Sequence, residues 1–299
     1  MNLKITLFAL LLSVTTLARA QVTETKPDHH EDLLVEVVED GAVKSQFPVH
    51  AKVRETNGKK EVTFSESTDP APTKKFRIDL DLGITNILKN DVRIPNEGGT
   101  LFSLRSTQFA PSIRAYFTWA INAHHSIRLL YAPLSLTKTI VPNEDIVFNG
   151  LTYLAGSPVE AYYQFNSYRI GYIYTFDRVG NAVFRLGFTN KIRDARIGLG
   201  PNAGTTGNGF NDLGYVPLLH FGANYSYLKD RAFADLELEG LAVPGAPGRA
   251  IEITAQTGFR LSDRFGAAVG YRFLEGGADV NIYNFAFVQS FFARLTYQF

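Results

Sequence analysis

From Phe76 to the last residue the chain alternates, and the alternation runs through segment after segment. "FRIDLDLGI" sets Phe76, Ile78, Leu80 and Leu82 on one side of an extended strand and Arg77, Asp79 and Asp81 on the other. "SIRAYFTW" opposes Ile113, Ala115, Phe117 and Trp119 to Arg114, Tyr116 and Thr118. "YRIGYIYTF" opposes Tyr168, Ile170, Tyr172, Tyr174 and Phe176 to Arg169, Gly171 and Thr175. "LHFGANYSY" and "ADLELEG" do the same, with His220 in the first and Asp235, Glu237 and Glu239 in the second on the polar side. "IEITAQTGF", "FGAAVGYRF" and the closing "SFFARLTYQF" follow suit. Successive side chains of a strand point to opposite faces, so a period of two predicts half-buried antiparallel strands.

The two faces are unlike those of a soluble sandwich. One carries full charges on nearly every strand. The other is large and aromatic, in a chain with 23 Phe and 14 Tyr. Both observations follow at once if the apolar face meets lipid and the polar face lines a lumen. Hydrocarbon offers no hydrogen-bond partner to a free sheet edge, so such a sheet must close into a barrel.

The connections set the strand number. Four are tight, "INAHH" near 121–125, "DRVGN" at 177–181, "KDR" at 229–231 and "SDR" at 262–264. Between them lie five others, near 85–107, 138–160, 197–213, 243–249 and 274–284, mostly longer and rich in Gly, Asn and Pro. Together they join ten strands in an all-β, closed, antiparallel, up-and-down transmembrane barrel over residues 76–299. An even count leaves both ends on the periplasmic side, with short turns there and longer loops outside. Trp119, Phe176, Phe184, Tyr227, Phe259, Phe265, Tyr297 and Phe299 gather beside the short turns, as an interfacial aromatic girdle would.

The start of the chain reads differently. Residues 1–20 have Lys4, an apolar run from Ile5 to about Leu12, and Ala18 and Ala20 spaced as A-x-A. This is the pattern of a secretory signal peptide cleaved after Ala20. Residues 21–75 form a periplasmic extension and linker. Within it, Leu33 to Phe64 reads as a small β-meander, with Asp40-Gly41 and Asn57-Gly58 as hairpin signals. Ser65 to Lys75 is a linker with two prolines. The chain has no cysteine, so an exported fold must be held by packing and hydrogen bonds alone. Its net charge of +1 and lack of a basic cluster argue against nucleic acid as a partner.

Taken together, residues 76–299 resemble the Gram-negative outer membrane β-barrel proteins. "ARLTYQF" looks like the C-terminal assembly signal of that class, with Leu295 and Tyr297 facing out and the terminal aromatic Phe299. The resemblance implies outer membrane localisation, contact with outer membrane lipid and lipopolysaccharide, and handling by the barrel assembly machinery.

Candidate chemistry is sparse. The inward row holds Arg77, Asp79, Asp81, Arg114, Arg128, Arg169, Arg185, Asp235, Glu237, Glu239, Glu252, Arg260, Arg272 and Arg294. It can be read as the lining of an ion-selective pore. It can equally be a packed network of neutralising pairs that shuts the lumen, and the mixed signs and small barrel favour a narrow or closed lumen. Outer membrane proteases of ten strands pair aspartates with an Asp–His couple near the outer rim. Here Asp79 and Asp81 open the first strand at the periplasmic end and His220 lies mid-strand, so the enzyme reading is set aside. "HHSI", His124 to Ile127, holds a Ser and His but sits at a short turn. "DHHED", Asp28 to Asp32, has metal-ligand residue types in a polar lead. "GLGPNAG", Gly198 to Gly204, lacks the lysine of a phosphate loop. "NYS" at Asn224 is a glycosylation triplet only on paper. No catalytic, cofactor or metal site is expected. A porin-like or structural barrel is the first reading, a surface-interaction barrel with working outer loops the second, and a rim hydrolase the third. The extension would enter the lumen as a plug or dock a periplasmic partner.

Overall fold

The computed structural model describes residues 74–299 in full and, before them, the backbone of four strands. The chain divides into two units, residues 1–70 and residues 71–299.

In the first unit β1 (Leu17–Gln21), β2 (Glu31–Glu39), β3 (Ala42–Thr56) and β4 (Lys59–Phe64) form an antiparallel sheet in sequence order. β2 to β4 run through the stretch Leu33 to Phe64 that reads as a small meander. β1 is additional and overlaps the end of the expected signal peptide, so a chain cleaved after Ala20 keeps only Gln21 of it. The two turn dipeptides, Asp28 to His30 of the "DHHED" stretch, and residues 65–73 of the linker lie outside the described residues.

The second unit is a closed barrel. Its strands are β5 (Phe76–Arg93), β6 (Phe102–Ser103), β7 (Ser106–Ala120), β8 (His125–Ala132), β9 (Ser135–Ile140), β12 (Val159–Thr175) and β13 (Ala182–Leu199). They continue with β14 (Gly209–Tyr227), β15 (Ala232–Ala242), β16 (Gly248–Arg260), β17 (Phe265–Asp279) and β18 (Tyr283–Gln298). These twelve strands make ten staves. β6 is a short spur on the end of β5. β8 and β9 are two halves of one stave, both paired to β12 and interrupted at Pro133, whose missing N–H cannot join a ladder. Neighbouring staves are antiparallel and consecutive. β18 pairs with β5 from Tyr283↔Arg93 to Gln298↔Arg77. Phe76 N donates to Phe299 O and Phe299 N to Phe76 O, both at 2.9 Å, so the last residue closes the seam.

The short turns fall where the tight connections were expected. The other connections are shorter than expected because the strands continue past them: β5 runs to Arg93 and β13 and β14 reach 18 and 19 residues. A spanning strand needs only about 9–11 residues, so the wall stands well above the lipid. One expected loop, 138–160, contains the hairpin β10 (Ile146–Phe148) and β11 (Leu151–Tyr153). Its turn is Asn149-Gly150, with φ of 46° and 83°, the left-handed pair that a tight hairpin requires.

Outside the barrel the alternation puts apolar residues in the open. Ile78, Leu82, Phe117, Trp119, Ile170, Phe188, Phe221, Leu236, Val269, Phe291 and Leu295 are all exposed, on strands all around the wall. A water-soluble surface does not carry a continuous apolar belt of this kind. The belt identifies the lipid face.

Candidate functional site: the interior of the barrel

The interior is stratified. Toward the short-turn end it is a lattice of ion pairs. Toward the long-loop end it is an apolar stopper. A cavity lies beside the upper charges.

The lattice follows from the strand pattern. The inward positions include Arg114 on β7, Arg128 on β8 and Arg169 on β12, and Glu237 and Glu239 on β15 and Glu252 on β16, so the pairs cross the lumen. Arg114 donates to Glu252 at 2.8 Å. Arg128 bridges Glu237 at 3.0 Å and Glu239 at 2.6 Å. Arg169, itself buried, holds Glu252 at 2.6 Å with one nitrogen and Glu239 with another. Around the wall, Arg185 holds Asp235 at 2.9 Å. Asp81 takes Arg272 at 2.6 Å and Arg294 at 2.5 Å. Asp79 takes Arg77 at 2.8 Å. Gly222 makes room for this: a Cβ there would stand 2.6 Å from the guanidinium of Arg185. Tyr116 sits in the middle, its hydroxyl accepting from Arg272 at 3.1 Å and its ring 4.8 Å from Arg294.

Buried charge costs several kcal/mol per ion unless it is paired and hydrogen-bonded. Here each of the carboxylates named is met by at least one guanidinium. The void enclosed by Arg114, Tyr116, Arg128, Glu237, Glu239, Glu252 and Thr254 is about 10 Å³. That is about the space of one water molecule.

Thirteen of the fourteen expected lumen charges belong to this lattice. Arg260 does not. It has the inward parity but lies at the exposed short-turn end, where it donates to the Asp230 carbonyl at 2.6 Å and to Ser226 at 3.1 Å. Alternation gives the face of a residue and not its depth. His220, fully buried, lies in the lattice, 3.2 Å from Glu239 and 3.3 Å from Arg128. Asp79 and Asp81 stay on their own strand among arginines, away from His220. Asn224 donates to Asp235 at 2.9 Å. At the "HHSI" turn, His124 Nδ1 lies 2.9 Å from the Thr175 carbonyl and His125 Nδ1 2.5 Å from the Tyr172 hydroxyl. Among the described residues no group of three or more His, Cys, Asp or Glu could hold a metal.

The stopper is made by the upper ends of β5, β12, β13 and β18 together with the loops after β5 and the hairpin β10–β11. Ile87, Val92, Ile94, Leu104, Ile146, Phe148, Tyr163, Ile197, Leu199 and Val288 form one buried apolar cluster. Phe148, fully buried, meets Phe102 edge-on at 5.8 Å. Thr100 N donates to the Val147 carbonyl and Asn149 N to the Ile94 carbonyl, both at 2.9 Å. Asn208 donates to the Phe148 carbonyl at 3.0 Å. The hairpin β10–β11 is thus tied to the loops after β5 and β13 across the mouth of the barrel. "GLGPNAG" supplies part of this layer: Leu199 and Ala203 are fully buried.

The third feature is a cavity of about 350 Å³ bounded by Tyr163, Phe165, Arg169, Lys191, Leu218, Glu239, Leu241, Val243, Glu252 and Leu274. Nothing in the reading of the sequence pointed to Lys191, although it has the inward parity on β13 and is 3% exposed.

No family model matches the chain, and no curated protein sequence does. Among solved structures it resembles the outer membrane protease OmpT from Escherichia coli, at 14% identity and TM-score 0.46, over 78% of this chain and 99% of that one. It also resembles Neisserial surface protein A (13%, 0.34, over 75% and 97%) and the P. putida toluene transporter TodX (9%, 0.32, over 77% and 91%). The closed antiparallel barrel itself rests on this chain's own strand pairing. The similar structures include a protease, a surface protein and a transporter, and identities this low do not choose among them.

Proposed function

We infer that this chain is an outer membrane barrel with a shut lumen, a structural or surface-presenting element and not a pore. The observation that carries the reading is the crossing of the lumen by Arg114–Glu252, Arg128–Glu239 and Arg169–Glu252 under an apolar stopper. An ion moving along the axis would have to break pairs that are costly to separate in a low dielectric. The residues that do this belong to the barrel itself, so the reading needs no plug from residues 21–74. Its partners are outer membrane lipid and lipopolysaccharide at the apolar belt and the assembly machinery at Leu295, Tyr297 and Phe299.

The test is osmotic swelling of liposomes carrying the refolded protein. The expected result is no uptake of arabinose or glycine above that of empty liposomes. Swelling on either solute refutes the shut lumen. The surface-interaction reading is favoured next, because the hairpin β10–β11 holds the outer loops in a fixed arrangement. The rim-hydrolase reading has less support, since Asp79, Asp81 and His220 are all engaged in the lattice.

A further inference from the structure

The cavity beside the lattice has an unbalanced wall. Four cations line it: Arg169, Lys191, Arg193 and Arg249. Arg169 is taken by Glu239 and Glu252, Arg193 by Asp212, and Arg249 by Glu275. Among the described residues Lys191 has no carboxylate within salt-bridge distance, since Glu239 and Glu252 are held by arginines. Its ammonium makes no hydrogen bond among the described residues, and it lies 4.6 Å from the centroid of the Phe165 ring. A buried ammonium without a paired anion is a costly arrangement, and here it stands at the edge of a cavity with a largely apolar wall.

The cavity also has a side entrance. β14 begins at Gly209, but its ladder with β15 covers only Leu219 to Tyr227. Above Leu219 the wall between these two staves is open, and Pro217 removes one donor from the free edge. Val216, Leu218, Leu241 and Val243 lie on the two sides of the notch and line the cavity. Lys191 pairs in register with Val216, and its strand neighbour Ile192 is exposed on the lipid face. The lower end of the notch therefore reaches the height of the membrane, while its upper part, beside Asp194 and Arg196, stands above the lipid.

We propose that this cavity is a binding site for a small amphipathic carboxylate, taken from the lipid phase through the β14–β15 notch. The carboxylate completes the ion pair with Lys191, and the aliphatic or aromatic tail lies against Tyr163, Phe165, Leu218 and Leu274. The volume, about 350 Å³, is at the small end of known ligand pockets, which suits a medium-chain acid and excludes a whole phospholipid. Arg169, Glu239 and Glu252 of the lattice line the site and keep their pairs with one another.

The test uses the full chain in nanodiscs and equilibrium dialysis of radiolabelled decanoate, with decanol as the uncharged homologue and empty discs as background. The expected result is saturable decanoate binding at one per barrel. Lys191→Met keeps the side-chain stem, and it should weaken decanoate by about tenfold or more while leaving decanol within about twofold. Heat-modifiable gel mobility confirms that the variant is folded. Uptake no greater than that of empty discs overturns the proposal, as does unchanged decanoate affinity in a folded Lys191→Met barrel. If Lys191→Met does not fold, Ala250→Phe, which fills the cavity from β16, must abolish the saturable component, and persistence of that component overturns the site. A barrel that swells liposomes would refute the shut lumen and leave this site standing.

Discussion

Glu252 is the residue on which the lattice depends most. It accepts from Arg114 at 2.8 Å and Arg169 at 2.6 Å, and Arg272 lies 3.6 Å away, with the carboxylate 8% exposed. Glu252→Gln keeps the shape and removes the charge, leaving three guanidinium groups around a neutral amide. Breaking a buried pair by removing one partner costs about 3–5 kcal/mol, because the remaining charge is stranded. With a urea slope of about 2–3 kcal/mol per M, the unfolding midpoint should fall by about 1–2.5 M. The assay is equilibrium unfolding of the barrel from lipid vesicles, read by the fluorescence of Trp119, the single tryptophan. The exposed turn change Asp263→Asn serves as the control. The double variant Glu252→Gln with Arg114→Met restores the charge balance, since among the described residues Arg114 pairs with no other carboxylate. It should be less destabilised than the sum of its parts, as residues in contact usually are. A shift of less than about 0.3 M for Glu252→Gln, or strict additivity in the double variant, would refute the idea that mutual neutralisation holds the lattice together.

Other consequences can be checked separately. Phe148→Ala removes the largest fully buried side chain of the stopper and should cost about 3–5 kcal/mol locally; limited proteolysis should then cut within 141–158 while the barrel keeps its folded gel mobility. At the short-turn end, Arg178 donates to Asp230 at 2.6 Å and holds its carboxyl below the ordinary value of 3.8. A carboxyl lowered by folding contributes stability above its unfolded pKa and loses it as pH falls through the folded one, so the contact should weaken only below about pH 4; NMR titration should show the Asp230 midpoint rising in Arg178→Gln. Deleting Phe299 removes both 2.9 Å bonds to Phe76 and the ring contact at 5.5 Å, and the folded fraction recovered from membranes should drop by several-fold relative to Phe299→Tyr.

The wall of the barrel and the inward face of its charges are legible in the sequence; the pairing and layering of the interior are not. Alternation is a local property, so "FRIDLDLGI" and "SFFARLTYQF" announce their faces, and the tight turns announce the connections. Strand ends were harder to find because the pleat continues above the lipid, where outward residues such as Asp194 and Arg196 are polar. The hairpin at Ile146 to Tyr153 did carry a signal, Asn149-Gly150 between two short apolar runs, and it was hidden in what looked like one long loop. Pairings in the lattice join residues 83 apart, as in Arg169–Glu252, or 213 apart, as in Arg294–Asp81. Parity shows that such residues face inward, but depth decides who meets whom. Parity alone therefore groups Arg260 with the lattice and does not single out Lys191.

Single-channel conductance in planar bilayers tests the shut lumen most directly, using the full chain and the chain lacking residues 21–74. Silence in both forms, with the heat-modifiable mobility of a folded barrel, is the predicted result. Discrete steps in either form would contradict it: steps in both would mean the lattice is a pore lining, and steps only after deletion would mean the extension is what closes the barrel.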